Sequence, residues 1–337
     1  MLAECNLSSI VDPDRRTRQK PGPVAGGSES KGDRRVLSGV GLLEALMHPI
    51  WLIEAGVYRE EADLVLAEVR RQGMTGSIVP HTALKAGAGL AIDDQPVPPE
   101  ACVIGYGTFP FARQIQLHYR WCPGAWCDPE KLDCSTYFAY FGKYLLNQPY
   151  AIMPGVEAIR QADWLFSVFA DGEEVFARPA GCHKLFVGRC IHREPFASAL
   201  SPSRTDPATQ VVIAAPREIG REWRLVVIGD RIIAASQYAK DGARSLAAGC
   251  PDEVREFAAG MLGAVSWRPD PIFMLDVCES DDRLWLVELN GFSCSWLYQC
   301  DLPEVVGRAS ELAVRQCASS RDRPPIAVPP RELARQG

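Results

Sequence analysis

Residues 273–293 read FMLDVCESDDRLWLVELNGFS, two apolar runs joined by a polar turn, with a carboxylate or amide where a core residue is expected. Strand side chains alternate, so Leu284, Leu286, Glu288 and Asn290 fall on one face of the second run. Glu288 and Asn290 are then neighbours, about 7 Å apart along the strand. If the turn ESDDR closes a hairpin, Asp276 comes beside Leu286 and Glu288. An ionised carboxylate buried without a partner is costly, and the usual outcomes are pairing, protonation or a metal. Two carboxylates and an amide oxygen, with no His or Cys, are the donor types that Mg²⁺ prefers alongside nucleotide phosphates. An ion pair with Arg221, Arg224 or Arg231 accounts for the same acids equally well. On these residues alone both readings stay open.

Outward from this hairpin, the second half of the chain is strand-rich. EEVFARPAG, KLFVGRCI, TQVVIAAP, EWRLVVIGDRIIAASQY, FMLDVCE and RLWLVELNG follow one another closely, and Gly229–Asp230 sits at the centre of a hairpin. One amphipathic helix, PDEVREFAAGMLGAV, interrupts them, and another around PEVVGRASELAVRQC closes the unit. That pattern predicts α+β with an antiparallel sheet. Residues 50–110 alternate differently: PIWLIEAG, REEADLVLAEVRRQG, GSIVPH and ACVIGYGTF have the βαβ rhythm of a parallel sheet. The Gly-Tyr-Gly there lacks the full dinucleotide fingerprint and reads as turn residues. DCSTYFAYFGKYLLNQPY has helical spacing with Asp133 or Ser135 as cap, and its aromatic stripe reads as core.

The chain of 337 residues is 47% hydrophobic with a formal net charge of −6, which points away from a nucleic-acid partner. No apolar run is long enough to cross a membrane, and the first residues lack the apolar stretch of a secretory signal, so a soluble cytoplasmic protein is expected. Residues 1–35 and 319–337 are polar and rich in Gly, Pro or charge, and read as disordered. The twelve cysteines are scattered in apolar contexts and read as reduced, buried thiols. In the tightest group, His118, Cys122, Cys127 and Cys134, the irregular gaps weigh against a zinc site.

Two further segments carry charge in unusual places. In EWRLVVIG, Glu222 and Arg224 share a face with Val226 and Ile228. In VFARPAGCHKLFVG, Arg178 ends a strand, a small-residue loop follows, and Lys184 opens the next strand. A cation on each side of such a loop can clamp phosphate, although a solvated charge explains either residue alone. Taken in order, basic residue, loop, Lys, Glu-x-Arg, Asp and Glu-x-Asn resemble the ATP-grasp superfamily. FARPAGCHKLFVG, EWRLVV, AASQY and LVELNGFS are most similar to a poorly characterised family within it, which has Arg at the first phosphate-contacting position.

The resemblance implies α/β plus α+β: a pre-ATP-grasp βαβ domain over 48–150, then an ATP-grasp fold over 151–318. It implies ATP and Mg²⁺ as cofactors. Arg178 and Lys184 would contact phosphates, and the hinge 213–219 would meet adenine, with Ala215 as backbone contact and Glu218 on the ribose. Glu222 would belong to the ATP site, and Asp276, Glu288 and Asn290 would hold Mg²⁺. Arg224 would stabilise the transferred phosphoryl or an acyl phosphate, with Lys184 also catalytic, and Ser236 and Tyr238 could line an acceptor site. Arg in place of Lys at 178 keeps the charge and adds a bidentate fork. The glycine-rich lid of better-known members is reduced to PAGCH. The implied activity is a carboxylate–amine ligase acting on a small-molecule or peptide carboxylate and an amine. The alternatives are a non-catalytic Mg·ATP-binding module and a kinase without ligation. Cys294 has no evident activating partner and reads as a buried thiol rather than a nucleophile.

Overall fold

The computed structural model describes residues 48–84, 89–182, 186–200 and 209–321. The expected disordered segment 1–35 and the phosphate-contacting Lys184 lie outside the described residues.

The first unit is parallel, as the βαβ rhythm requires. Strand β1 (Ile50–Glu54) leads through helix α1 (Arg59–Arg71) to β2 (Thr75–Val79). α1 buries Ala62, Val65 and Val69, an i, i+3, i+7 stripe, and Gly73 follows at φ +77°, a value glycine adopts without strain. A short ribbon, β3 (Ala91–Ile92) and β4 (Gln95–Pro96), precedes β5 (Cys102–Tyr106). Helix α2 (Phe109–His118), whose first turn is capped by the Thr108 hydroxyl accepting from the Phe111 N–H, leads to β6 (Cys122–Gly124). The sheet order is β2-β1-β5-β6, with every pairing parallel.

Helix α3 (Cys134–Phe141) is capped by Asp133, which accepts from the Ser135 N–H at 2.8 Å. The helical spacing that runs on toward Tyr150 is not realised. Gly142 ends the helix, and a single 3-10 turn hands the chain to β7 (Tyr150–Pro154). Then come α4 (Gly155–Arg160), α5 (Ala162–Phe169), β8 (Glu174–Pro179), β9 (Arg189–His192), α6 (Phe196–Ala199) and β10 (Gln210–Ala214). Their antiparallel sheet runs β7-β10-β8-β9. Of the strand expected over 184–191, residues 186–188 stand outside β9, which pairs β8 from Ala177 back to Glu174 and leaves Arg178 beyond that ladder.

A second antiparallel sheet, β13-β12-β11-β14-β15, holds β11 (Arg221–Ile228), β12 (Arg231–Lys240), β13 (Ala243–Ala248), β14 (Ile272–Ser280) and β15 (Arg283–Gly291). Both expected hairpins form. Asp281 and Asp282 adopt φ +52° and +55°, the mirror-image turn that suits the twist of two strands. Ser236 and Tyr238 lie within β12, in the strand-like run that the sequence offers. Helix α7 (Asp252–Ala264) buries Val254, Ala258, Met261 and Leu262.

The last helix, α8 (Leu302–Arg321), includes residues 319–321, which polarity alone assigned to the tail. α8 packs on the N-terminal sheet: Val305, Val306, Ala309 and Ala313 share a core with Trp51, Ile53, Val65 and Ile104. The Trp51 indole N–H donates to the Ser310 hydroxyl at 3.0 Å. Helix α8 and strand β1 thus build one layer, which ties the parallel unit to the strands that carry the acids.

Candidate nucleotide and metal site

Register explains why the charged side chains meet. Arg224 on β11 lies opposite Asp276 on β14, and Asp276 lies opposite Glu288 on β15. Asn290, two residues beyond Glu288, shares that face. The Arg224 guanidinium donates from Nε and Nη2 to the two Asp276 oxygens at 2.8 and 2.7 Å. The Asn290 amide donates to Asp276 Oδ2 at 3.1 Å and to Glu288 Oε1 at 2.8 Å. From the end of β8 in the other sheet, Arg178 Nη2 donates to Glu288 Oε2 at 2.7 Å. A continuous polar network, Arg224–Asp276–Asn290–Glu288–Arg178, therefore crosses from one sheet to the other.

The ion-pair alternative is realised for Asp276. With 1% of its surface exposed, it is tolerated because a buried guanidinium forks onto it. Arg221 pairs with Glu279 instead, at 2.9 and 2.5 Å. Arg224 also donates to the Trp296 carbonyl at 3.1 Å and lies over the rings of Tyr238 and Tyr298, at 5.7 and 5.2 Å. Ser236 is fully buried, donates to the carbonyls of Gln237 and Ala247, and accepts from the Gln299 N–H. It works inside the fold, and the expectation that it lines an acceptor site is corrected.

Glu222 is the unusual member. Its Oε2 accepts from the Tyr238 hydroxyl at 2.8 Å, while its buried Oε1 has no hydrogen-bond partner among the described residues. Burial first, and then the charges of Asp276 and Glu288, push its carboxyl up to about 7. Three carboxylates (Glu222, Asp276, Glu288) share this region with two guanidiniums (Arg178, Arg224), so full ionisation leaves one negative charge in excess.

Oxygen donors with surplus negative charge fit a hard divalent cation. Glu288 and Asn290, with Asp276 beside them, would hold it; the Asn290 amide already bridges the two carboxylates, and its opposite flip would turn an oxygen toward them. Among the described residues no group of three or more His, Cys, Asp or Glu is arranged as a ready metal cage. A cation here would therefore draw on the amide and on phosphate or water oxygens as well, as Mg²⁺ commonly does.

Beside this network a partly open cleft lies between the two sheets. Arg178, Ala215, Arg217 and Ile219 line it from one side, and Leu146 and Val287 from the β15 side. Chain segment 145–146 reaches it by pairing along β15, where the Leu146 N–H donates to the Leu286 carbonyl at 2.9 Å. Two of the expected nucleotide contacts, Arg178 and Ala215, thus share one wall. Glu218 is exposed and does not line the cleft, although its neighbours Arg217 and Ile219 do. Arg217 and Ile219 fall within the expected hinge 213–219, whereas Leu146 and Val287 were not expected, since an apolar pair carries no chemical signal.

Two of the three aromatic residues beside Arg224, Trp296 and Tyr298, were also missed. Trp296, Tyr298 and Tyr238 stack in a row, with centroids 6.3 and 5.3 Å apart. Glu61 of α1 holds this segment by accepting from the Leu297 and Tyr298 N–H groups, both at 2.9 Å, and from the Tyr106 hydroxyl. Only an acid on the buried face of α1 hints at it. The thiols differ from expectation too: Cys190 is exposed, and Cys294 is half-buried with its Sγ 2.8 Å from the Cys127 Sγ.

Residues 146–309 match the family model described as ATP-grasp domain, R-two-K clade family 3. A search of curated protein sequences finds no significant match. Among solved structures, D-cycloserine synthetase DcsG superposes with a TM-score of 0.54 at 14% identity, covering 79% of this chain and 99% of that one. D-alanyl-alanine synthetase A from Vibrio cholerae gives 0.53 at 13% identity, covering 81% and 98%. The ATP-grasp ligase PsnB, complexed with a phosphomimetic variant of its minimal precursor, Mg and ADP, gives 0.50 at 14% identity, covering 81% and 99%. At such identities the likeness establishes the fold. The parallel β2-β1-β5-β6 unit and the two antiparallel sheets that follow make up that fold. Residues 146–309 of this chain are thus matched by the ATP-grasp domain, R-two-K clade family 3, and the chain has the ATP-grasp fold.

Proposed function

We propose that this protein is an ATP-dependent carboxylate–amine ligase, with the ATP-grasp unit over 151–318 preceded by an α/β unit over 48–150. The observation that carries the proposal is the network joining Arg178 of one sheet to Glu288, Asn290, Asp276 and Arg224 of the other, beside a cleft that ends at Ala215. Phosphoryl transfer asks a protein for positioning and charge neutralisation more than for a nucleophile. Mg²⁺, held by Glu288, Asn290 and Asp276, would neutralise charge on the phosphates.

The chain's own residues do the rest. Adenine would lie in the cleft against Ala215 and the apolar side chains of Leu146 and Val287, with the ribose near Glu218. Arg178 would leave Glu288 in part to meet phosphate, and Lys184 would meet it from the following segment. Arg224, fixed by Asp276 and the Trp296 carbonyl, would offer its remaining N–H groups and its charge to an acyl phosphate. Tyr238, bonded to Glu222, would lie at the acceptor side. The named relatives handle amino-acid or peptide substrates, which supports a carboxylate of that class.

One observation favours a second reading. Both Asp276 oxygens are occupied by Arg224, which suits a site that binds Mg·ATP without turnover. ADP release separates the two. A ligase releases ADP only with a carboxylate present, is accelerated by an amine, and yields an amide seen by mass spectrometry. ADP formed with a carboxylate but without any amide identifies a kinase. Mg·ATP binding with no ADP formed from any pair in a broad amino-acid and dipeptide screen identifies the binding module.

A further inference from the structure

Three cysteines from three distant segments converge at the edge of the nucleotide site. Cys127 follows β6, Cys182 lies in the loop after β8, and Cys294 lies in the turn after β15. The Cys127 and Cys294 sulfurs are 2.8 Å apart. Cys127 is also hydrogen-bonded to Cys182. The two backbones are held in place independently of the thiols. The Trp126 N–H donates to the Ser293 hydroxyl at 2.9 Å, and the Ser293 N–H donates to the Trp126 carbonyl at 3.1 Å. Gly291 lets them approach, since a Cβ there would stand 2.8–2.9 Å from the Sγ, Cα and Cβ of Cys127.

The separation discriminates between the chemistries open to clustered thiols. Sulfurs around a tetrahedral zinc, at about 2.3 Å from the metal, stand about 3.8 Å from each other. A disulfide requires about 2.05 Å. The 2.8 Å contact is shorter than zinc geometry allows and is already most of the way to a bond. Exposure is graded as well: Cys294 is half-buried, whereas Cys127 is buried, with its thiol pushed up by its bonds to Cys182 and Cys294 and then by burial. A small oxidant reaches Cys294 first, and Cys127 waits behind it as the resolving thiol.

We infer that Cys127 and Cys294 form a redox-modification site that a hydroperoxide closes to a disulfide. In the first step the Cys294 thiolate attacks one peroxide oxygen, the O–O bond breaks, and hydroxide leaves, giving Cys294 sulfenic acid. In the second the Cys127 sulfur attacks the sulfenic sulfur, the S–OH bond breaks, and the thiol proton leaves with the hydroxyl as water. Per hydrogen peroxide, two thiols lose two electrons and two waters result. The bond spans 167 positions of sequence and joins the parallel unit to the strand that carries Asn290. This chemistry goes beyond the proposed ligase activity and does not depend on it.

The test uses the full chain, reduced and metal-free, treated with stoichiometric hydrogen peroxide and alkylated. The expected result is an intact mass lower by about 2 Da before alkylation, from two lost hydrogens, two fewer alkylated thiols after it, and a crosslinked peptide pair that tandem fragmentation assigns to Cys127 and Cys294. Dithiothreitol reverses all three. Cys294→Ser and Cys127→Ser each abolish the link, and Cys182→Ser retains it. Full alkylation of both thiols after peroxide in the folded wild-type chain would overturn the inference, without bearing on nucleotide binding. So would a link from Cys127 to Cys182 in place of Cys294, or one equivalent of zinc retained by the three thiols.

Discussion

At the scale of single residues, the buried acids divide the work between pairing and surplus charge. Removing the guanidinium of Arg224 leaves Asp276 ionised, buried and without its fork. Arg224→Ala is therefore expected to cost about 3–5 kcal/mol of stability, read as a shift in the urea midpoint. Glu222 behaves differently, because burial first, and then the charges of Asp276 and Glu288, disfavour its charge. Its folded carboxyl, at about 7, lies above the ordinary value of 4.5. The folded state binds the proton more tightly than the unfolded chain, so its contribution is full below the unfolded value and is lost as pH rises through the folded one. Without metal, this group should lower stability between about pH 4.5 and pH 7, by at most about 3 kcal/mol. Glu222→Gln should flatten that part of the stability–pH curve; an unchanged slope would mean that Glu222 is ionised throughout. These acids were visible in the sequence as carboxylates in apolar strands. Which of them paired was not, since Arg221, Arg224 and Arg231 all lie near in sequence and only strand register selects Arg224 for Asp276.

At the scale of elements, the same register accounts for what was and was not legible. Alternation within RLWLVELN put Glu288 and Asn290 on one face, and the two-aspartate turn fixed the hairpin that brings Asp276 opposite Glu288. The contact from Arg178 could not be read this way, because it joins two sheets and depends on where β8 ends relative to β15. Residues 186–188 stand outside the expected strand for a related reason: apolar residues and β-branching mark a strand, but the ladder that pairs it belongs to β8. Close approaches between elements are likewise invisible locally. Gly291 reads as the residue after Glu-x-Asn, yet its lack of a Cβ admits Cys127. Gly291→Ala is expected to destabilise the protein by about 1–3 kcal/mol through overpacking against a backbone Cα and a buried thiol. A substitution tolerated within about 0.5 kcal/mol would mean that the 125–128 segment yields more readily than its two bonds to Ser293 indicate.

At the scale of the whole molecule, the C-terminal helix closes the N-terminal sheet, and Glu61 of that first unit holds the Trp296–Tyr298 segment beside Arg224. Periodicity found α8, but its destination in the first strand of the chain, recorded in the Trp51–Ser310 bond, has no local signature. Ending the chain after Asp301 should expose the apolar face of Trp51, Ile53 and Val65 and yield insoluble protein. Soluble, cooperatively folding truncated protein would show that the first layer closes without the helix. The central claim is that the network between the two sheets is a Mg·ATP site. Calorimetric titration of ATP with and without Mg²⁺, for the parent chain and for Glu288→Gln, tests it most directly. Binding should require Mg²⁺ and weaken by about tenfold or more in the variant, the scale set by losing one charged ligand. A well-folded parent that binds no ATP with Mg²⁺, or a variant that binds as tightly as the parent, would make the buried acids a structural ion-pair network.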